Sequence, residues 1–248
     1  MTSSGGIGHL CWDSDLMGFP VGQLEPSMLN GSTLSDIRER CLSMRLRLAY
    51  IALPWTDLVL RKKACALGAG LVDKKIIYSR SFDVSKCWMP TDLVSFEGTE
   101  PGPELESLAL ASGVYSRFRT DPRMAPSVFQ NLYLTWIRRS VRREIADIVM
   151  VAKGSECLAG MVTVALREDH AEIGLLAVSE SSRGQGIGKR LIKGAEAWAL
   201  STGVKRMTVA TQGANFPACA LYESMCYESV QTQAIYHYWV DSLQEASS

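Results

Sequence analysis

The stretch from Ile173 to Leu191, IGLLAVSESSRGQGIGKRL, constrains this chain more than any other. Ile173 to Val178 is a short apolar run and reads as a buried strand. A polar connector, Ser179 to Ser182, follows. Arg183, Gly184, Gln185, Gly186, Ile187, Gly188 and Lys189 then open directly into a segment with helical apolar spacing. A strand, a glycine-rich turn and a helix start leave backbone N–H groups pointing outward. The helix dipole adds roughly half a positive charge at the same place. The geometry is that of an anion site. Gly184, Gly186 and Gly188 let the backbone approach a phosphate, and Arg183 and Lys189 flank it with charge.

Two common phosphate loops do not fit. A Walker loop ends in Gly-Lys-Ser/Thr, but Gly188-Lys189 is followed by Arg190, and Arg183 stands where the first glycine is required. A dinucleotide fingerprint needs Gly-x-Gly-x-x-Gly and an acid about twenty residues on. Here the spacing is Gly-x-Gly-x-Gly, and no Asp or Glu lies between Ala197 and Tyr222. Arg183-Gly184-Gln185-Gly186-Ile187-Gly188 instead resembles the pyrophosphate loop of the GNAT N-acetyltransferases, Arg/Gln-x-x-Gly-x-Gly/Ala. A glycine-rich turn that binds nothing is the plainer reading, and the basic flanks, preceding strand and following helix weigh against it.

A chain of 248 residues allows one large domain or two small ones. Lys+Arg and Asp+Glu both number 26, so net charge points to neither nucleic acid nor membrane. Seven cysteines, an odd number without a Cys-x-x-Cys pair, argue against a disulfide framework or a zinc knuckle. They read as small buried hydrophobes in a reducing compartment, with no Cys–His pairing visible and no metal site expected. Neither a signal peptide nor an apolar run long enough for a membrane span is seen. A cytoplasmic protein is expected.

Along the chain, Met1 to Gly8 reads as poorly ordered, and Cys11 to Glu25 as a turn-rich loop ending in a strand at Val21 to Leu24. Leu34 to Leu46 and Thr56 to Leu67 have helical spacing, Leu48 to Leu53 and Ala69 to Phe82 read as strands, and together they predict a small β/α unit. Ser85 to Pro103, rich in Pro and Gly, reads as a connection. Helices are expected at 104–111 and 126–144, with an irregular basic segment at 113–124 between them. Ser116 to Glu144 holds seven Arg against two acids. Arg138, Arg139, Arg142 and Arg143 read as a solvated helix face. Arg117, Arg119 and Arg123, in the turn-rich segment, suit the clasping of a diphosphate. Strands at 148–153, 158–167 and 171–178 then form a meander with turns at 154–156 and 168–170. A helix from Gln185 to about Ser201 is expected to expose Gln185, Lys189, Lys193 and Glu196. A strand at 206–211, a helix at 215–225 and a strand at 227–240 close the chain.

The order helix-β-β-β-loop-helix-β-α-β over 104–240 resembles the GNAT acyl-CoA N-acyltransferase fold. The expected class is therefore α/β with a mixed sheet. Residues 1–100 would be a smaller N-terminal β/α domain helping to bind acceptor, and 101–248 the acetyltransferase domain. A narrower resemblance is carried by WDSDLMGF, GLVDKKIIY at 70–78, LALASGVYSRFRTDPR at 108–123 and the closing YHYW. These stretches are similar to the TDP-fucosamine acetyltransferases, which acetylate the amine of a nucleotide-linked 4-amino-4,6-dideoxyhexose. The resemblance implies acetyl-CoA as co-substrate, a nucleotide sugar as partner and a homodimer.

It also implies roles. The strand before the loop would hold the pantetheine arm and, at a bulge near Leu176, Ala177 and Val178, offer an N–H to the thioester oxygen. Asn215, Ala218 and Tyr222 match the family's Asn-x-x-Ala-x-x-x-Tyr spacing. Tyr222 would be the acid that protonates the departing thiolate, and Asn215 a pantetheine ligand or a helix cap. No base is evident: Asp169, His170 and Glu172 read as a solvated turn, and His237 as a core histidine. The loop reads only the donor. A protein N-terminus, a lysine or a small amine therefore stays open as acceptor, as does a non-catalytic acyl-CoA sensor.

Overall fold

Capping and turn chemistry decide where the periodic stretches begin and end. The computed structural model describes residues 6–82, 89–154 and 157–240. In order, the chain forms β1 (Ile7–His9), α1 (Cys11–Met17), β2 (Val21–Leu24), α2 (Met28–Gly31), α3 (Leu34–Ser43), β3 (Leu48–Pro54), α4 (Leu58–Ala66) and β4 (Gly70–Ser81). Next come β5 (Leu93–Ser95), α5 (Pro103–Ser112), α6 (Arg117–Thr120), α7 (Pro126–Val141), β6 (Ile148–Lys153), β7 (Leu158–Leu166) and β8 (Ala171–Val178). After a 3-10 turn at Glu180–Ser182 follow α8 (Ile187–Ser201), β9 (Arg206–Gln212), α9 (Phe216–Ser224) and β10 (Glu228–Trp239). The expected mixed α/β class is what forms. Residues 155–156 of the turn expected at 154–156, and parts of the 1–8 and 85–103 segments, lie outside the described residues.

The chain divides into two units, Met1–Lys75 with Gln231–Ser248, and Ile76–Val230. This division falls elsewhere than at residue 100, and β4 and β10 carry the chain across it.

In the first unit, β1 pairs antiparallel with β2. Strand β2 lies parallel to β3, and β3 pairs antiparallel with β10. The side chain of Thr33 accepts from the Asp36 N–H at 3.1 Å while the Asp36 carboxylate accepts from the Thr33 N–H at 2.9 Å, a capping box that starts α3. Asp57 caps α4 through the Leu60 N–H at 2.9 Å. Leu24, Ile37, Ile51, Leu53 and Tyr236 fill the core. His237 is buried as expected, stacked on Tyr50 with ring centroids 5.0 Å apart.

Two sequence readings fail here. Ile7 and Gly8 belong to a strand rather than to a disordered lead. The expected loop at Cys11 opens as helix α1, which Gly18 ends at φ 73°. Ser14 ties it down, donating to the Leu10 carbonyl at 2.7 Å and accepting from the Val21 N–H at 2.9 Å. Turn-forming residues satisfy a short helix as well as a loop, so composition alone misread the segment.

The second unit is one sheet in the order β4-β9-β8-β7-β6-β5. Helix α8 packs on β6, β7 and β8, α5 on β7 and β8, and α7 on β6. Strand β5 pairs Leu93 with Ala152 and Ser95 with Met150. It was hidden inside the Pro- and Gly-rich connection because three residues carry no readable period. Helix α6, inside the segment read as irregular, is capped by Ser116, which accepts from the Phe118 N–H at 3.3 Å. On α7, Arg139 pairs with Glu144 at 2.9 Å and Arg138 with Glu106 at 3.9 Å, and Arg142 at its C-terminal end pairs with Glu100. These pairs are partly exposed and screened by solvent, as on a solvated face.

Glu196 is a correction. Read as exposed, it is 3% exposed. Arg80 donates to it at 2.9 Å and the Tyr227 hydroxyl at 3.0 Å. Burial raises its pKa, while Arg80 and Tyr227 oppose the rise. Its partners lie on β4 and next to β10, where helical periodicity gives no sign of them.

Gly160 fixes how closely α8 approaches the sheet. A Cβ there would stand 2.7 Å from the Ala177 carbonyl oxygen, 3.0 Å from Leu191 Cδ1 and 3.2 Å from Ile187 Cγ2. The carbonyl belongs to the β7–β8 ladder and cannot swing aside. Gly160→Ala is expected to destabilise the second unit by about 1–3 kcal/mol, read by urea unfolding. An unchanged midpoint would show that the helix shifts without cost. Among the described residues no helix is long and apolar enough to cross a membrane.

Candidate active site

The site is where the sheet of the second unit opens. Strands β8 and β9 pair in parallel at Ala171↔Met207, Glu172↔Thr208 and Ile173↔Val209, and there the ladder stops. Residues 174–178 and 210–212 continue with no ladder partner across that edge. The cause lies on the other side of β8. Between the pairs Val164↔Ile173 and Val162↔Leu176, Thr163 of β7 stands opposite both Gly174 and Leu175. This is a β-bulge, which adds twist and turns the strand away. The Leu175 N–H donates to Thr163 Oγ1 at 2.8 Å. The bulge therefore sits at Gly174–Leu175, just before the Leu176 to Val178 segment where the sequence reading put it.

The opening leads to the head of α8. Gly184 and Gly186 have φ of 77° and 75°, which side chains rarely adopt, and the space where their Cβ atoms would lie is open. Gly186 is the N-cap, so no side chain caps the helix, and the first turn holds no acid. The first intrahelical bond runs from the Arg190 N–H to the Gly186 carbonyl at 3.1 Å. The N–H groups of Ile187, Gly188 and Lys189 therefore lack helical partners. Arg183, Gln185 and Lys189 are exposed around them, while Ile187 is buried in the core. Gln185 bonds the Ser181 carbonyl at 3.4 Å, and Arg190 is held by Asp92 at 2.8 Å. Gly188 differs from the other two glycines. A Cβ there would meet Leu221 Cδ2 at 2.9 Å and Val178 Cγ2 at 3.8 Å. Its small size lets α8, α9 and the end of β8 meet.

Helix α9 follows β9. Asn215 caps it, accepting from the Ala218 N–H at 3.3 Å, so the cap alone accounts for an Asn there. Tyr222 lies on this helix, 4% exposed, between Tyr78 and Tyr227 with ring centroids at 5.7 and 6.0 Å. The three hydroxyls differ. Tyr78 donates to Glu223 at 2.7 Å and Tyr227 to Glu196 at 3.0 Å. The Tyr222 hydroxyl makes no hydrogen bond among the described residues. Burial, with a smaller contribution from Cys219, raises its pKa and keeps the phenol protonated.

The three arginines read as substrate ligands lie on or just after α6. Arg117 stacks on Phe118 at 4.4 Å and Arg119 over Phe129 at 5.5 Å. Arg123 is exposed, its N–H bonded to Asp121 Oδ1 at 2.9 Å. His170, Asp169 and Arg206 form an exposed cluster, and Glu172 pairs with Arg167 at 2.8 Å, at the paired end of β8 away from the opening. Among the described residues no group of His, Cys, Asp and Glu gathers that could hold a metal ion. The reading of the cysteines needs correction. Cys11, Cys65, Cys157 and Cys226 are exposed. Cys11 Sγ lies 3.4 Å from His9 Nδ1. The only signal in the sequence was the two-residue spacing of His9 and Cys11, which carries little weight alone.

Comparison with known proteins agrees with this geometry. Residues 114–226 match the acetyltransferase (GNAT) family. A dTDP-fucosamine acetyltransferase of Escherichia coli O6:H1 (strain CFT073) is 34% identical over 122 residues, 48% of this chain and 51% of that protein. The chain thus spans about half the length of that curated relative. A tandem GNAT protein from the clavulanic acid biosynthesis pathway superposes with TM-score 0.57 at 16% identity, covering 91% of this chain and 77% of the other. A GCN5-related N-acetyltransferase from Sphaerobacter thermophilus superposes with TM-score 0.62 at 12% identity, covering 95% and 76%. At such identities the two structures speak for the fold. Family match, shared fold, opened ladder and uncapped α8 agree that residues 114–226 form an acetyltransferase domain of the GNAT family.

Proposed function

We propose that this chain transfers the acetyl group of acetyl-CoA to the amine of a nucleotide-linked amino-deoxy sugar of the dTDP-4-amino-4,6-dideoxyhexose type. The observation that carries the donor half is the bare N-terminus of α8 at the mouth of the β8–β9 opening. A diphosphate is a fitting occupant of three free N–H groups flanked by Arg183 and Lys189. Gly184, Gln185, Gly186, Ile187 and Gly188 supply the backbone of that cradle. The acceptor half rests on the 34% identical relative and on the stretches resembling its class.

Acetyl-CoA supplies an activated thioester. The free edge of β8, at Leu176, Ala177 and Val178, receives the pantetheine arm as an added strand, with Asn215 beside it. An edge N–H faces the carbonyl oxygen as negative charge grows there. The amine nitrogen attacks the carbonyl carbon, the C–N bond forms and the C–S bond breaks. The Tyr222 hydroxyl gives its proton to the leaving sulfur, and the amine releases its extra proton to water. Apolar packing around Tyr222 keeps that phenol protonated until then. The free cysteines suit a reducing, cytoplasmic setting.

Arg117, Arg119 and Arg123 are assigned to the acceptor diphosphate. Each stands on or next to α6. The double variant Arg119→Ala/Arg123→Ala is expected to raise KM for the nucleotide sugar about tenfold, with kcat little changed. An unchanged KM sinks the assignment. Thiol release with a panel of acceptors tests the whole reading. Turnover with a dTDP-4-amino sugar supports it. Turnover only with a lysine peptide or a polyamine keeps the donor site and discards the sugar.

A further inference from the structure

We propose that Cys11 is a reactive thiol, activated by His9, and that it is a site of mixed-disulfide formation with small disulfides. The argument lies wholly within the first unit. Cys11 and His9 are both exposed, and Cys11 Sγ stands 3.4 Å from His9 Nδ1. The other ring nitrogen, Nε2, lies 3.2 Å from Ser14 Oγ.

The bonds of Ser14 decide the tautomer. A hydroxyl has one proton to give. Ser14 is placed to give it to the Leu10 carbonyl at 2.7 Å, since its alternative, the Val21 carbonyl, is at 3.5 Å. Ser14 also accepts from the Val21 N–H at 2.9 Å. Its remaining lone pair is what faces His9, so Nε2 carries the proton and donates. Nδ1 is then the basic nitrogen, and it is the one beside Cys11. A nucleophile, a base and a group that orients the base are in place together.

The chemistry follows. Nδ1 takes the thiol proton as the sulfur attacks one sulfur of the disulfide R–S–S–R. The Cys11–S–S–R bond forms, the original S–S bond breaks, and R–S⁻ leaves, taking up the proton from His9. No other oxidant is needed. Cys65 and Cys226 are exposed as well and serve as comparators in the same molecule. Cys41 is fully buried and reports whether the unit stays folded.

The test is the rate of mixed-disulfide formation with oxidised glutathione, resolved by cysteine with mass spectrometry, for the full chain and for His9→Asn. Cys11 is expected to react about tenfold faster than Cys65 or Cys226, because a base stands beside its sulfur to take the proton as the sulfur attacks. In His9→Asn that advantage is expected to vanish while Cys41 stays unreacted. Ser14→Ala is expected to lower the Cys11 rate by a smaller factor. A Cys11 rate equal to the comparators, or one unmoved in His9→Asn with Cys41 still protected, overturns the proposal. If Cys41 becomes reactive in His9→Asn, His9→Gln is measured in its place and read by the same criteria.

Discussion

Tyr222→Phe is expected to lower kcat about a hundredfold or more, the range for loss of a positioned acid, with acetyl-CoA affinity nearly unchanged. The substitution removes one oxygen and keeps the ring that packs against Tyr78 and Tyr227. That oxygen makes no hydrogen bond among the described residues, so stability has little to lose. The effect falls on the step in which the thiolate leaves, and therefore on kcat and kcat/KM together. The neighbouring tyrosines are built-in controls. Tyr227→Phe strips a hydrogen bond from the buried Glu196 and acts on stability. A Tyr222→Phe enzyme with full kcat would remove Tyr222 from the chemistry and leave it as a packing residue.

Gly186→Val carries the second large effect. At φ 75° a β-branched residue is strained by roughly 1–3 kcal/mol, and the strain falls on the residue that starts α8. Open space around Gly186 means that no clash is involved, so the cost is purely one of backbone conformation. The loop can relieve it only by leaving the left-handed region, which turns the N–H groups of the first turn away from a common point. Acetyl-CoA Kd is expected to rise about ten- to a hundredfold, the equivalent of that strain. Gly188→Ala makes the useful contrast. It meets the end of a Leu221 side chain, which can move, so a smaller rise is expected. Equal affinities for wild type and Gly186→Val would place the diphosphate elsewhere.

The legible part of this chain was the part written in local chemistry. The period of Ile173 to Val178, the glycines after it and the Pro217 start of α9 announced a strand, a turn and two helices within a few residues of their bounds. Helical spacing did the same for α3, which the Thr33–Asp36 capping box starts. What stayed hidden depends on partners distant in sequence. Glu196 looked exposed because Arg80, its counter-charge, sits 116 residues away. Strand β5 is made a strand by Ala152 to Met150, not by its own three residues. The bulge came only from the family resemblance, because it is a mismatch between β7 and β8, and neither strand alone contains it. The Cys11–His9 pair needed β1 to end beside α1, in a segment whose turn residues disguised a helix.

Calorimetric titration of acetyl-CoA into the wild-type chain and Gly186→Val, side by side, meets the central claim most directly. The account predicts saturable binding at one site per chain, competed by free CoA, and weakened in the variant while Tyr222→Phe binds like wild type. No binding by the wild type, or binding untouched by Gly186→Val, would contradict it.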